Sequence, residues 1–125
     1  MCGFSQGAGI ALHTVYNRET PIGGVIGFCG CLPNDKSFTI NESCAETDCL
    51  YVLCDCGNPC SLFHGTSDKH VPIEFMKNAS EIIRSKGVKN VQFNTYPGVK
   101  HQITRRMLDL TREEMIRKFM VLHVC

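Results

Sequence analysis

The 125-residue sequence lacks a strong excess of charge, a long apolar run and any low-complexity segment. Thirteen Lys and Arg are balanced by twelve Asp and Glu, and no basic run is interleaved with aromatic residues, so we expect no nucleic-acid partner. No apolar stretch reaches the roughly 18 residues that a membrane span requires. A charged segment ahead of an apolar one is also missing from the amino terminus, which argues against a secretory signal. We therefore expect one cytoplasmic domain over residues 1–125, without a membrane span.

The nine cysteines lack an even number, so at least one would stay unpaired if the others formed disulfides. Without a secretory signal, free thiols are the default interpretation in a reducing compartment. We interpret residues 42–57 as a surface insertion. Five cysteines crowd the seventeen residues that begin in it and end just beyond it: Cys44, Cys49, Cys54, Cys56 and Cys60. Their spacings contain no C-x2-C pair, so a zinc-binding module here is the weaker alternative. We expect neither a metal nor another cofactor.

The chain does contain the segment Gly3-Phe4-Ser5-Gln6-Gly7, followed by an apolar stretch. A Gly-x-Ser-x-Gly segment is typical of a nucleophile elbow, a strained strand-to-helix turn whose flanking glycines avoid steric clashes. Ser5 is the candidate nucleophile, and the backbone amide of Gln6 is placed to donate to a developing oxyanion. The alternative is a Gly-rich turn that merely begins an apolar helix.

Apolar periodicity predicts three helices and three strands. The helices are expected at 6–17, 72–86 and 111–125, and the strands at 22–29, 59–63 and 91–96. Residues 33–58 are predicted to form a long loop with a short strand at 50–53, and no strand is predicted before the elbow. This alternation indicates an α/β protein with a parallel sheet and helices on both faces, whose active site would lie at the carboxyl ends of the strands.

Two of the predicted strand-ending loops supply the groups that a serine nucleophile needs. Asp68 follows the strand at 59–63, and His101 follows the strand at 91–96, so both are expected beside Ser5. Each also has a plainer interpretation, Asp68 as a turn residue and His101 as a solvated loop histidine. His64 and His70 are competing bases, although His64 is better explained by a structural hydrogen bond. The other histidines, His13 and His123, fall within predicted helices and are set aside.

Four blocks in chain order resemble the acyl-protein thioesterase / phospholipase-carboxylesterase family: Gly3-Phe-Ser-Gln-Gly7, Gly24-Val-Ile-Gly-Phe-Cys-Gly-Cys-Leu-Pro33, Pro59-Cys-Ser-Leu-Phe-His-Gly-Thr-Ser-Asp-Lys-His-Val-Pro72 and Phe93-Asn-Thr-Tyr-Pro-Gly-Val-Lys-His101. The resemblance implies an α/β-hydrolase fold and hydrolysis of acyl thioesters or carboxylic esters, on S-palmitoylated proteins or lysophospholipids. It implies that Ser5 is the nucleophile, His101 the general base and Asp68 its orienting carboxylate, with Gln6 as an oxyanion donor.

The resemblance covers nearly the whole chain but only the carboxyl-terminal half of a typical member. The family's first strands and the early His-Gly loop that gives a second oxyanion donor are absent, so the expected fold is a partial α/β-hydrolase. Loss of one oxyanion donor costs about 100- to 1000-fold in turnover. The alternative function is therefore a catalytically inactive remnant of the family. An unpaired sheet edge would also favour self-association.

Overall fold

The computed structural model describes residues 1–32, 37–45 and 60–123, with the side chains of the last helix up to residue 116. Four parallel strands form one sheet in chain order: β1 Cys2–Phe4, β2 Val25–Phe28, β3 Cys60–Gly65 and β4 Val91–Tyr96. The helices are α1 Gln6–Tyr16, α2 Glu42–Ala45, α3 Ile73–Ser85 and α4 Arg105–His123. The predicted parallel α/β architecture is confirmed.

The sheet is covered on both faces, because side chains alternate along the fully buried strand β3. Leu62 packs in one cluster with Leu12 of α1 and Met76 of α3. The next residue, Phe63, packs in a second cluster with Met107 of α4. Helices α1 and α3 therefore lie on one face and α4 on the other, as predicted.

The expectation that no strand leads into the Gly-x-Ser-x-Gly turn is wrong. Residues Cys2–Phe4 form β1, in register with Ile26–Phe28 of β2. The amide of Ser5 donates to the carbonyl of Phe28 at 2.9 Å, and the amide of Ile26 donates to the carbonyl of Met1 at 2.9 Å. Three residues were too few for a periodic sequence signal, but the neighbouring strand supplies the hydrogen bonds that make them a strand.

Helix α4 begins earlier than the sequence predicts. The segment Thr111-Arg-Glu-Glu114 resembles a capping box, but the helix starts at Arg105 and Thr111 lies inside it. The hydroxyl of Thr104 accepts from the amide of Met107 at 3.3 Å, and the amide of Leu108 donates to the Thr104 carbonyl at 3.2 Å. Thr104 is thus the residue that caps the helix.

One predicted core residue of α1 is exposed. The spacing of Ile10, Ala11 and Val15 predicts a shared apolar face, but the side chain of Ile10 is 65% exposed whereas the other two are buried. Ile10 precedes the buried Leu12 by two residues, a rotation of about 200° in an α-helix, which turns it away from the sheet.

The predicted strand at 50–53 and most of the predicted insertion at 42–57 lie outside the described residues. The structure describes only helix α2 of the predicted insertion. The insertion as a whole therefore stays a prediction. None of the helices in the described ranges has the length and apolarity needed to cross a membrane.

We predict that Thr104→Ala lowers the free energy of unfolding by about 1 kcal/mol, because the amide of Met107 loses its capping acceptor. Urea denaturation of the two proteins measures the difference. Thr104→Ser keeps the hydroxyl and should stay close to the native value. Equal stability of the Ala and Ser variants would contradict the role given to Thr104.

Candidate active site

Ser5 occupies a strained turn between β1 and α1. Its backbone has φ 55° and ψ −123°, a conformation that residues other than glycine rarely adopt and that costs about 1 to 3 kcal/mol. The hydrogen bond from its amide to Phe28 holds the turn on one side, and the amide of Ala8 donates to the Ser5 carbonyl at 3.1 Å on the other. This strained strand-to-helix turn has the backbone geometry that a nucleophile elbow requires.

The two glycines that flank Ser5 have different roles. A Cβ atom at Gly3 would overlap the backbone of Gly7 and Ala8, so only glycine fits there. A Cβ atom at Gly7 would meet nothing within 4 Å beyond its chain neighbours and its own helix backbone. The steric explanation of the motif therefore holds at Gly3 and is wrong at Gly7.

Asp68 lies in the loop after β3 with its side chain fully buried. One carboxylate oxygen, Oδ1, accepts from the backbone amides of His70 and Val71, both at 2.9 Å. The other oxygen, Oδ2, lies 2.7 Å from Nδ1 of His101. The first two hydrogen bonds fix the carboxylate in its own loop, which leaves Oδ2 directed at the histidine.

The loop that carries His101 packs backbone to backbone against the end of β3. The amide of Thr66 donates to the carbonyl of Tyr96 at 3.0 Å, and the amide of Ser67 donates to the carbonyl of Val99 at 3.0 Å. A Cβ atom at Gly65 would overlap Val99, so the close approach requires glycine. This contact delivers His101 to Asp68 although 33 residues separate them along the chain.

Ser5, His101 and Asp68 form one hydrogen-bonded line. Nε2 of His101 lies 3.1 Å from Oγ of Ser5, and Nδ1 lies 2.7 Å from Oδ2 of Asp68. Burial acts to raise the pKa of Asp68, but hydrogen bonds from Val71, His101 and His70 outweigh it and lower the pKa. The ionised carboxylate is an acceptor only, so the neutral imidazole carries its proton on Nδ1 and turns the lone pair of Nε2 toward Ser5.

The competing histidines lie elsewhere in the site. Nε2 of the buried His64 lies 2.9 Å from the carbonyl of Val71, which is the structural hydrogen bond that the sequence predicts. Its Nδ1 has no partner among the described residues. The ring of His70 stacks on the ring of His101 at a centroid distance of 5.1 Å. The remaining two histidines lie in helices, His13 in α1 and His123 in α4.

Sequence reasoning missed two neighbours of the His101 side chain. The ring of Phe4 lies 4.8 Å from the imidazole ring, centroid to centroid. Cys29, buried at the end of β2 with φ 48°, places its thiol close to Asp68 and His101, and the ligand atoms of the three residues lie within 4.8 Å of one another. Burial raises the pKa of the Cys29 thiol. The position of Cys29 at the carboxyl end of the predicted strand 22–29 was the available signal.

Of the five cysteines assigned to the zinc alternative, Cys44 and Cys60 lie among the described residues. The thiol of Cys44 donates to the backbone carbonyls of Val15 and Arg18 at 3.4 and 3.2 Å. Cys60 is buried at the start of β3. The other three fall outside the described ranges, so the zinc-binding module stays an untested alternative.

The comparisons with known sequences agree on one family. A profile of the family described as Phospholipase/Carboxylesterase matches residues 1–120. Acyl-protein thioesterase 1 of Debaryomyces hansenii is 37% identical over 108 residues, covering 85% of this chain and 42% of that protein. Acyl-protein thioesterase 1 of Candida albicans is 33% identical over 108 residues, covering 85% and 43%. The chain thus spans about two fifths of the length of these relatives.

Solved structures show the same partial coverage. The crystal structure of Arabidopsis thaliana SOBER1 matches with a TM-score of 0.77 and 26% identity, covering 94% of this chain and 51% of that one. Zea mays acyl-protein thioesterase 2 matches in fold, with a TM-score of 0.74 and 22% identity, covering 93% and 54%. The predicted partial α/β-hydrolase fold is therefore confirmed.

The lowered pKa of Asp68 predicts an acid-sensitive contribution to stability. Because the folded value lies below the ordinary 3.8, the ionised carboxylate stabilises the fold fully above 3.8, and this contribution is lost as pH falls through the folded value. The difference in unfolding free energy between the native chain and Asp68→Asn should therefore shrink as the pH falls from about 5 to about 2, through 3.8 and the lower folded value. Urea denaturation across this range measures it. A difference that is constant with pH would contradict the assignment.

Proposed function

This chain belongs to the phospholipase/carboxylesterase family, and we propose that it hydrolyses acyl thioesters or carboxylic esters with Ser5 as nucleophile, His101 as base and Asp68 as orienting carboxylate. The observation that carries the proposal is the hydrogen-bonded line from Ser5 Oγ through the His101 ring to Asp68 Oδ2, with distances of 3.1 and 2.7 Å. The strained backbone of Ser5 supports it, because such strain persists where the surrounding structure imposes it for function.

In the first half of the proposed reaction, Ser5 Oγ attacks the acyl carbonyl while Nε2 of His101 takes the hydroxyl proton. Asp68 accepts from Nδ1–H and stabilises the imidazolium that forms. The tetrahedral intermediate collapses when His101 returns the proton to the leaving sulfur or oxygen. The acyl chain is then bound to Ser5 as an ester.

In the second half, Nε2 of His101 takes a proton from water and the resulting hydroxide attacks the acyl carbonyl. The imidazolium then returns this proton to Ser5 Oγ as the ester bond breaks. A carboxylic acid leaves and the hydroxyl of Ser5 is restored. The ring contacts from Phe4 and His70 support this cycle, because they hold the imidazole between Ser5 and Asp68 while its charge changes.

The oxyanion of both intermediates would form beside the first turn of α1. Gln6 is the first residue of this helix, and the first amides of a helix have no carbonyl partner within the helix. The amide of Gln6 is therefore the proposed oxyanion donor, and the positive end of the helix dipole adds to its effect.

The proposed substrates are acyl thioesters on proteins and acyl esters of lipids. The relatives from Debaryomyces hansenii and Candida albicans bear the name acyl-protein thioesterase 1, which supports the thioester assignment. No group in the proposed cycle requires a cofactor, because the nucleophile, the base and the oxyanion donor are all protein atoms.

We predict that the chain is labelled at Ser5 by a fluorophosphonate probe and that substitutions in the hydrogen-bonded line abolish turnover. By analogy with other serine hydrolases, Ser5→Ala and His101→Ala should lower kcat by roughly 10⁶-fold, and Asp68→Asn by roughly 10⁴-fold. Labelling, followed by hydrolysis of a long-chain acyl thioester, measures both. Ser67→Ala, an exposed serine in the same region, is the matched control and should retain activity.

Circular dichroism must show that each variant is folded before its activity is compared. Folded native protein that the probe does not label would overturn the proposal and leave the chain as an inactive member of the family. Labelling that survives in Ser5→Ala would assign the nucleophile to another residue.

We also propose that the chain self-associates through the outer edge of β1. This strand is at one end of the sheet order, and no described strand pairs with its outer edge. Met1 and Ser5 bond to β2, so by alternation the backbone groups of Cys2 and Phe4 point toward the open edge. Cys2 and Phe4 are exposed, and an open edge with these residues favours strand pairing with another chain.

Cys2→Pro should shift the chain toward the monomer, because proline removes an amide donor from the open edge and leaves the bonds to β2 in place. Sedimentation velocity over a range of protein concentrations measures the shift. Cys31→Ala, away from this edge, is the control. A native chain that stays monomeric at every concentration would contradict the proposal.

A further inference from the structure

We propose that this site is also an inhibitory zinc site, in which Zn²⁺ binds the thiolate of Cys29, the carboxylate of Asp68 and a ring nitrogen of His101. The metal site itself depends on the geometry of these three residues, and the inhibition rests on the proposed function. Zinc here would be a regulator that switches hydrolysis off, not a cofactor of the reaction.

The three side chains already form a compact donor set. Their ligand atoms lie within 4.8 Å of one another, and Cys29 and Asp68 are buried. Sulfur, imidazole nitrogen and carboxylate oxygen are all common zinc ligands, and tetrahedral bond lengths place such donors about 3.4 to 3.6 Å apart. Side-chain adjustments of about an ångström would therefore bring the three donors to these separations.

Asp68 can either orient His101 or bind zinc, because its two carboxylate oxygens have different hydrogen-bond partners. Oδ1 is fixed by the amides of His70 and Val71, whereas Oδ2 is held by side chains alone, His101 at 2.7 Å and His64 at 3.5 Å. A metal that takes Oδ2 leaves the backbone hydrogen bonds intact. The loop keeps its shape, and the metal replaces the contacts of Oδ2 with His101 and His64.

Zinc binding to either ring nitrogen of His101 would prevent this residue from acting as the base for Ser5. If Nε2 binds the metal, the lone pair that faces Ser5 is no longer available to take its proton. If Nδ1 binds the metal, its proton moves to Nε2 and the ring no longer presents a base to Ser5. Zinc and the serine reaction therefore compete for the same imidazole.

The charges and protons of the proposed site balance. The thiol of Cys29 releases one proton to solvent on binding, and the neutral imidazole keeps its single proton on the nitrogen that does not bind. The thiolate and the carboxylate then neutralise the two charges of Zn²⁺. A neutral cluster avoids the large cost of burying an unpaired charge.

Cys29 separates inhibition from catalysis. Its thiol donates to the carbonyl of Gln102 at 3.5 Å, and no step of the proposed hydrolysis uses it. Cys29→Ser keeps a short side chain that can donate a hydrogen bond, but it removes the thiolate ligand. Cys31, two residues further along and half-buried, offers a matched cysteine outside the donor set.

The test measures fluorophosphonate labelling at buffered concentrations of free Zn²⁺ for the native chain, Cys29→Ser and Cys31→Ser. We expect all three proteins to be labelled equally without zinc. The zinc concentration for half inhibition should rise by at least about tenfold in Cys29→Ser, since even the loss of a residue that supports a ligand weakens metal binding that much. It should stay unchanged in Cys31→Ser. Equal inhibition of the native chain and Cys29→Ser would overturn the proposal.

A Co²⁺ titration tests the metal site independently of activity, because a thiolate bound to Co²⁺ gives a charge-transfer absorption band. The native chain should bind one more equivalent of Co²⁺ that gives this band than Cys29→Ser does. Asp68→Asn should also bind one equivalent of Co²⁺ fewer than the native chain. Equal stoichiometry in all three proteins would overturn the site. If the variants lose this Co²⁺ equivalent but the fluorophosphonate probe does not label the native chain, the metal site is supported and only the proposed hydrolysis is contradicted. Cys29→Ala replaces the serine variant if circular dichroism shows that the latter is unfolded.

Discussion

The close backbone contact between the end of β3 and the loop after β4 is the constraint on which the candidate site depends. Gly65 lets the backbone of Val99 approach, and hydrogen bonds from Thr66 and Ser67 hold the two loops together. The parallel register places β3 and β4 so that both loops leave the same end of the sheet. Asp68 can therefore be buried without becoming an unpaired charge, because His101 is delivered to its free oxygen.

The fold could be predicted from the sequence where the periodicity extends over several residues. Residues 91–96 alternate clearly, and β4 has the same bounds. Strand β1 has only three residues, so its pairing with β2 rather than its own pattern makes it a strand. The start of α4 was missed because Thr111 imitates a capping residue, whereas the hydroxyl of Thr104 is the one that accepts the hydrogen bond. A local sequence pattern does not reveal which of two candidate capping residues begins the helix, because tertiary contacts decide between them.

The predicted site residues Ser5, His101 and Asp68 lie in hydrogen-bond contact because each follows a strand in the same parallel sheet. Element order conveyed this for Asp68 and His101, whereas the Gly-x-Ser-x-Gly segment indicated the place of Ser5. Their chemical roles stay a prediction. The sequence could not predict which other side chains contact His101 and Asp68 from the ends of neighbouring strands. Phe4 precedes Ser5 directly, yet its contact with His101 depends on the curvature of the turn. The thiol of Cys29 reaches Asp68 only through the register of β2 against β3.

In the proposed reaction, the chemistry of hydrolysis and the choice of substrate make different demands on the structure. All three members of the hydrogen-bonded line come from the carboxyl ends of β1, β3 and β4, and their contacts are made entirely within this chain. The chain nevertheless spans only about two fifths of its relatives' length. A base, a nucleophile and an orienting carboxylate need angstrom-level positions, which the strand ends provide. Binding of an acyl chain, as proposed, would need apolar area instead, and Ile10 and Ile103 are among the described residues with large, exposed apolar side chains.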